Sequence, residues 1–318
     1  MIIHSTLILA ASLLLIMLLS DRQIRYILAL SKYLGLSEMA AGFIILSITT
    51  SLPELSVSTV ASLAGEGGLS VGNVLGSNVA NLTIILGLAM LLSRKEIRIK
   101  GESQKELVQF LFISSIIPLF IVQRGSLGPV LGIVLLILFA YFGVTVSRKT
   151  ETSDTDKTPP QQKEEKIVIL VIKFLLGVAL IITLSKFAVN SSLDIAEFVG
   201  LPTSIIGAIL IGLGTSLPEL ATTIQALKQG LVNMALGNLL GSCITNITLI
   251  LGVSSLLSFS EVNVVAVQSI MFYVLLSSLS VWYMVGASER LTKKGALFLC
   301  MVYGLFILQQ VGFSIFIF

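Results

Sequence analysis

The sequence is poor in charge, in histidine and in cysteine, and each shortage closes off a class of function. Asp, Glu, Lys and Arg make up only 12% of its 318 residues, about half the share in an ordinary soluble domain. Hydrophobic residues reach 55% and the mean hydropathy is +1.00, which excludes a soluble globular fold. His4 is the single histidine. A Ser/His/Asp or Cys/His arrangement has no base to use, and zinc or copper finds no imidazole in the interior of the chain. The two cysteines, Cys243 and Cys300, both fall in apolar stretches, where a thiol fills space. With no P-loop and no complete GxGxxG either, an enzyme is not expected, nor is a cofactor. The net charge is only +3 and no basic cluster alternates with aromatics, so nucleic acid is not an expected partner.

What the chain does contain is long apolar runs, and a bilayer crossing needs about 20 residues. Ten runs read as membrane helices, at about 5–30, 39–63, 69–93, 105–123, 126–147, 167–189, 203–227, 233–257, 264–285 and 295–316. The expected fold is an all-α membrane protein in a lipid bilayer, with no obligate protein partner evident. The first 20 residues lack a positive n-region and an A-x-A site, so that segment reads as a retained membrane helix. Trp282 and Tyr283 read as interfacial anchors.

One stretch is plainly polar: residues 148–166, RKTETSDTDKTPPQQKEEK, with mixed charge and two prolines. It reads as a flexible linker between a first half, 1–147, and a second, 167–318. Cytoplasmic loops accumulate Lys and Arg. Placing the N-terminus outside puts 17 of the 20 basic residues in cytoplasmic loops, among them Arg22, Arg94, Lys163, Lys228 and Arg290. Both termini are then extracytoplasmic and the linker is cytoplasmic. Glu66, Asp194, Glu197 and Glu261 fall in or beside outside loops and read as solvated charge.

Self-comparison is more informative still. Residues 42–93 align without a gap onto 207–258, and 23 of the 52 positions are identical. TSLPEL at 50–55 recurs at 215–220, and GNVLGS at 72–77 recurs as GNLLGS at 237–242. Asn81 recurs as Asn246. Chance similarity between apolar helices matches Leu and Ile, not Glu, Pro, Asn and Ser. The copies begin with the second and seventh helices, five crossings apart, so the expected architecture is two five-helix repeats of inverted topology, as in many secondary transporters.

Of the 17 acidic residues, only Glu54 and Glu219 lie deep inside apolar runs, at equivalent positions. A carboxylate at bilayer depth costs about 3 kcal/mol on insertion scales, which a packing role does not explain. Each follows a proline, Pro53 or Pro218, that frees a carbonyl four residues back. A lone proline is an ordinary kink; two kinks beside two buried carboxylates point to a cavity lined by broken backbone. Thr50 and Thr215 precede the carboxylates by one helical turn and share their face. On the other repeated helix, Ser77 with Asn81 and Ser242 with Asn246 are again i, i+4. Singly these are ordinary interhelical partners; opposite the two Glu they complete an oxygen cage. Gly72 with Gly76, and Gly237 with Gly241, have the spacing that lets helices approach closely.

Two carboxylates and a carbonyl from each bend supply up to six oxygens, which suits Ca2+ better than the strictly octahedral Mg2+. Losing Ca2+ leaves two buried anions that Na+ or protons must neutralise, so exchange follows rather than one-way passage.

With these motifs, (G)TSLPE followed by GNxxGSxxxN twice over, the chain resembles the sodium/calcium exchanger branch of the cation/calcium antiporters along essentially its full length, most of all the compact prokaryotic members. The resemblance implies an antiporter exchanging Na+ for Ca2+ by alternating access in a prokaryotic plasma membrane. It implies that Glu54 and Glu219 bind Ca2+ and share Na+ ligation, with carbonyls from Thr50 and Thr215. Ser51, Ser77, Ser216 and Ser242, with carbonyls of Ser47 and Gly212, then complete flanking Na+ sites. It further implies that the first and sixth helices slide across a rigid core. The proton-coupled branch carries a GNxxE type of signature in place of TSLPE, so coupling leans to Na+. Three positions depart from the family pattern: Thr49 stands where Gly is usual, Asn246 where potassium-dependent relatives carry Asp, and Cys243 where the first copy has Asn78. H+/Ca2+ exchange, a passive cation channel and a non-transporting sensor are the alternatives.

Overall fold

The computed structural model describes residues 2–33, 50–92, 97–98, 102–150, 164–228 and 232–317. Helices account for nearly all of them. The first half comprises α1 (Ile2–Tyr33), α2 (Leu52–Leu63), α3 (Gly67–Ala80), α4 (Leu86–Leu92), α5 (Glu102–Ile116), α6 (Leu119–Arg124) and α7 (Pro129–Thr150). The second comprises α8 (Glu164–Val199), α9 (Thr203–Ile206), α10 (Gly212–Thr215), α11 (Leu217–Lys228), α12 (Val232–Thr245), α13 (Leu251–Leu257), α14 (Val264–Trp282) and α15 (Lys293–Ile317). Single π-helical turns join α3 to α4, α9 to α10 and α12 to α13. Two short strands, β1 (Ile97–Arg98) and β2 (Arg290–Leu291), pair antiparallel.

Among the described residues, eight helical stretches are long and apolar enough to cross a bilayer, and Pro129–Thr145 is a shorter apolar one. The expected helix over 39–63 is described only from residue 50 onward. Of the expected linker, Arg148–Thr150 continue α7 and Glu164–Lys166 open α8; 151–163 lie outside the described residues. The sixth expected helix also runs further than expected, to Val199 instead of about 189. No Gly or Pro interrupts 190–199. The helix stops at Gly200, whose φ of +72° suits glycine, with Pro202 just beyond. Asp194 and Glu197, read as loop charge, therefore sit on α8, and Asp194 accepts a 2.8 Å hydrogen bond from Ser5 Oγ on α1.

Burial separates core from sheath. Gly67–Leu92 and Met234–Leu257, the second helices of the two repeats, are 83% buried, whereas the span in α1 is 28% and that in α8 only 11% buried. The main apolar cluster gathers Val74 and Leu75 with Leu239, Leu240, Val274 and Phe306. A separate cluster joins Leu9 and Ile16 of α1 to Ile181 and Ala188 of α8, and docks on Val57 of α2. Leu7 and Leu176 are about two-thirds exposed on the outer surfaces of that pair. In water this would be costly; in a bilayer such side chains face lipid.

Small residues set the approach of the core helices. A Cβ on Gly72 would collide with the Ser204 backbone, and one on Gly76 with that of Ala208. The helices of the two repeats thus touch backbone to backbone, and polar groups near Gly76 come within reach of the other repeat.

Candidate functional site

The site is built on two equivalent breaks. In the first repeat the chain turns at Ser51 (φ −85°, ψ 11°) and α2 restarts with Pro53 in its first turn. In the second it turns at Ser216 (φ −86°, ψ 6°) and α11 restarts with Pro218. Proline has no N–H to donate back, so it fits a first helical turn and breaks a continuing one. The single helix expected over 203–227 is therefore divided. Glu54 and Glu219 fall in the first turns after the breaks, where unpaired N–H groups and the helix dipole favour negative charge. Both carboxylates are fully buried. Among the described residues no basic side chain pairs with either; Lys105 pairs with Glu289, at a surface.

The oxygen donors meet across the repeats. Ser216 Oγ donates to Glu54 Oε1 at 3.0 Å. Thr50 Oγ1 lies 3.0 Å from Ser242 Oγ, and the equivalent pair, Ser77 Oγ and Thr215 Oγ1, is 3.5 Å apart. Ser77 Oγ also donates to the Gly212 carbonyl at 3.1 Å. Asn246 Nδ2 donates to Asn78 Oδ1 at 3.1 Å, and Asn78 Nδ2 to the Cys243 carbonyl at 3.0 Å. Asn78 and Cys243 occupy the same position of the two copies, so the repeats meet at equivalent residues. The pairing is not fully symmetric: Ser51 Oγ, the counterpart of Ser216 Oγ, is buried without a partner.

Six buried acceptor oxygens of the expected ligands lack a hydrogen-bond partner: Ser51 Oγ, Glu54 Oε2, Asn81 Oδ1, both carboxylate oxygens of Glu219, and Asn246 Oδ1. Burying such groups unpaired costs several kcal/mol for a charged one, and a cation among them removes that cost. Hard oxygens without an imidazole among the expected ligands suit Na+ or Ca2+. Of the twelve expected ligands, only Ser47 lies outside the described residues, as does Thr49.

Two features were missed from the sequence. Asn73 donates to the Glu54 carbonyl at 3.2 Å and to Ser58 Oγ at 2.8 Å, and accepts from Thr215 Oγ1 at 3.3 Å. Its counterpart Asn238 donates to Thr222 Oγ1 at 3.0 Å and accepts from Thr50 Oγ1 at 3.5 Å. Both are identical polar positions of the repeat within apolar helices, which was the available signal. The second feature is that a π turn opens at each of Asn81 and Asn246, and π turns cluster at functional sites.

Fold and site together define a multi-pass integral membrane protein in which two repeated helix pairs enclose a buried, doubly acidic, oxygen-lined centre. The chain belongs to the sodium/calcium exchanger protein family, whose sequence model matches residues 4–148 and 169–312. Members of that family are transporters. The Escherichia coli inner membrane protein YrbG is 33% identical over 270 residues, covering 82% of each chain. The sodium/calcium exchanger MaX1 of Methanosarcina acetivorans is 30% identical over 285 residues, covering 77% of this chain and 81% of its own. The solved structure of the sodium-calcium exchanger NCX_Mj has the same fold, with a TM-score of 0.65 at 24% identity over 96% of this chain and 99% of its own.

Proposed function

We propose that this chain is a secondary antiporter that exchanges Na+ for Ca2+ by alternating access, with Glu54 and Glu219 as the ligands both ions share. The observation that carries the reading is the pair of fully buried carboxylates with no basic partner among the described residues, set among unpartnered oxygens. Two anions held so deep need a compensating cation in every state the protein passes through. One Ca2+ meets that need, and Na+ meets it when Ca2+ leaves. The relative MaX1, named a sodium/calcium exchanger, supports the same ion pair.

In this mechanism Ca2+ lies between Glu54 and Glu219 and takes carbonyls of Thr50 and Thr215, while Asn81 and Asn246 present amide oxygens. Ser51, Ser77, Ser216 and Ser242, with the carbonyls of Ser47 and Gly212, form the flanking Na+ positions. Ten helices make two inverted halves, 1–147 and 167–318, joined by a cytoplasmic linker within 148–166 whose first three and last three residues extend α7 and α8, with both termini outside. The pair α1 and α8, which shares its own apolar cluster, slides over the core to open the site to one side at a time. The chain catalyses no chemical conversion and uses no cofactor.

The test is radioactive Ca2+ uptake into proteoliposomes loaded with Na+, with K+ or with acid buffer. Uptake that needs internal Na+ supports the exchanger. Uptake driven by acid and not by Na+ gives H+/Ca2+ exchange, equal uptake in all three gives a channel, and ion binding with no flux gives a sensor.

A further inference from the structure

A groove of about 680 Å³ runs between α2 and α8, and none of the expected ion ligands lines it. Its α8 wall is a stripe of Val178, Ile182, Lys186 and Asn190, spaced four residues apart and so on one face of the helix, with Val189 beside it. Its α2 wall runs from Leu52 and Leu55 through Ser56 and Thr59 to Leu63. Val178, Ile182, Leu52 and Leu55 make one end wholly apolar, while the polar groups, Lys186, Asn190, Ser56 and Thr59, all lie toward the other, with Val60, Leu63, Ala64 and Val189 among them. Leu63 and Ala64 also line the groove and adjoin the turn at Gly65, so the polar part opens toward a membrane surface and the apolar part lies deeper.

Lys186 is the charged group of this lining, and no acidic residue lines the groove. It is exposed, and no ion pair holds it among the described residues. A lysine on a membrane-spanning helix needs an anion at its own depth or water within reach of its stem.

We propose that this groove is a binding site for an anionic phospholipid of the surrounding bilayer. The lipid phosphate sits on the Lys186 ammonium, with Asn190, Ser56 and Thr59 as neutral hydrogen-bonding groups beside it. One acyl chain follows the apolar end between Val178 and Leu52. The volume admits a head group and the upper part of a chain, within the usual range of ligand grooves; the rest of the lipid stays in the bilayer. Charge complementarity excludes a zwitterionic lipid of equal hold, because its own ammonium competes for the phosphate. The site does not depend on which ions the chain transports.

The test is native mass spectrometry of the delipidated full-length protein titrated with phosphatidylglycerol or with phosphatidylcholine. The expected result is one retained phosphatidylglycerol, held at least tenfold more tightly than phosphatidylcholine. Lys186→Gln and Val178→Trp, which removes the charge in one case and fills the apolar end in the other, each lose it, whereas Lys186→Arg and Lys173→Gln keep it. Lys173 is exposed on α8 but outside the groove, so it controls for general surface charge, and retention by Lys186→Arg shows that the altered position still folds. Unchanged retention in Lys186→Gln overturns the proposal, as does loss in Lys186→Gln with full retention in Val178→Trp, which would mean that charge alone attracts the lipid.

Discussion

Gly212 is the place where packing and ion ligation can be separated by one methyl group. Its backbone is ordinary right-handed helix, φ −57° and ψ −42°, so alanine adopts it without strain. Helix propensity alone favours the change by about 1 kcal/mol. Space does not: a Cβ there would stand 2.7 Å from the Ser77 nitrogen and 3.0 Å from the Gly76 carbonyl carbon. Both neighbours are backbone, so no side chain can swing aside. Restoring an ordinary contact of 3.4 Å requires a separation of 3.4 − 2.7 = 0.7 Å. That shift would stretch the 3.1 Å Ser77 to Gly212 hydrogen bond to about 3.8 Å, beyond hydrogen-bonding range. Overpacking costs about 1–3 kcal/mol, so Gly212→Ala should lose up to about 2 kcal/mol of stability after the propensity gain. Two facing oxygens of a flanking Na+ position moved apart by that distance should weaken Na+ binding about tenfold, since one hydrogen bond's worth of ligation is about 1.4 kcal/mol. The matched control is Gly304→Ala on α15, where a Cβ meets nothing within 4 Å. Thermal unfolding in detergent, with and without Na+, reads both quantities. If Gly212→Ala and Gly304→Ala behave alike in stability and in Na+ response, the close approach does not position the site.

Further predictions concern the cross-repeat bonds. Ser216→Ala removes the donor to Glu54 Oε1 and should cost about 1.5–3 kcal/mol in ion-free protein; Ser51→Ala, which breaks no hydrogen bond, should cost under about 1 kcal/mol, and equal costs in unfolding assays would contradict the asymmetry. Asn73→Ala removes three buried bonds and should cost about 2–3 kcal/mol, as unsatisfied partners are left behind. Asn238→Ala loses one good bond and one at 3.5 Å and should be milder; the reverse order would refute this account of the two positions.

Much of this site could be read before any coordinates, because burying charge in a bilayer is costly enough to make Glu54 and Glu219 conspicuous, and the repeat makes them a pair. The small-residue spacing of Gly72 and Gly76 also announced close packing. What could not be read was who faces whom. Spacing placed Thr50 with Glu54 and Ser77 with Asn81 on single helices, whereas the hydrogen bonds join Thr50 to Ser242 and Ser77 to Thr215 and Gly212, across 192, 138 and 135 residues of chain. Those pairings follow from tertiary packing and leave no periodic trace. Asn73 and Asn238 were passed over because each looked like part of a glycine motif. The extra length of α8 was obscured because Asp194 and Glu197 lower local hydropathy, although Asp194 is satisfied by Ser5 on the neighbouring helix.

The central claim is that Glu54 and Glu219 hold Ca2+ and Na+ in turn. Isothermal titration of Ca2+ into the purified full-length protein, in sodium-free buffer and then with Na+ or K+ added, tests it most directly. The account predicts that Na+ weakens Ca2+ binding while K+ does not, and that Glu54→Gln and Glu219→Gln each lower Ca2+ affinity about a hundredfold, the cost of about 3 kcal/mol for removing one charge from a buried set. Ca2+ binding indifferent to Na+, or retained at full strength in either variant, would contradict it.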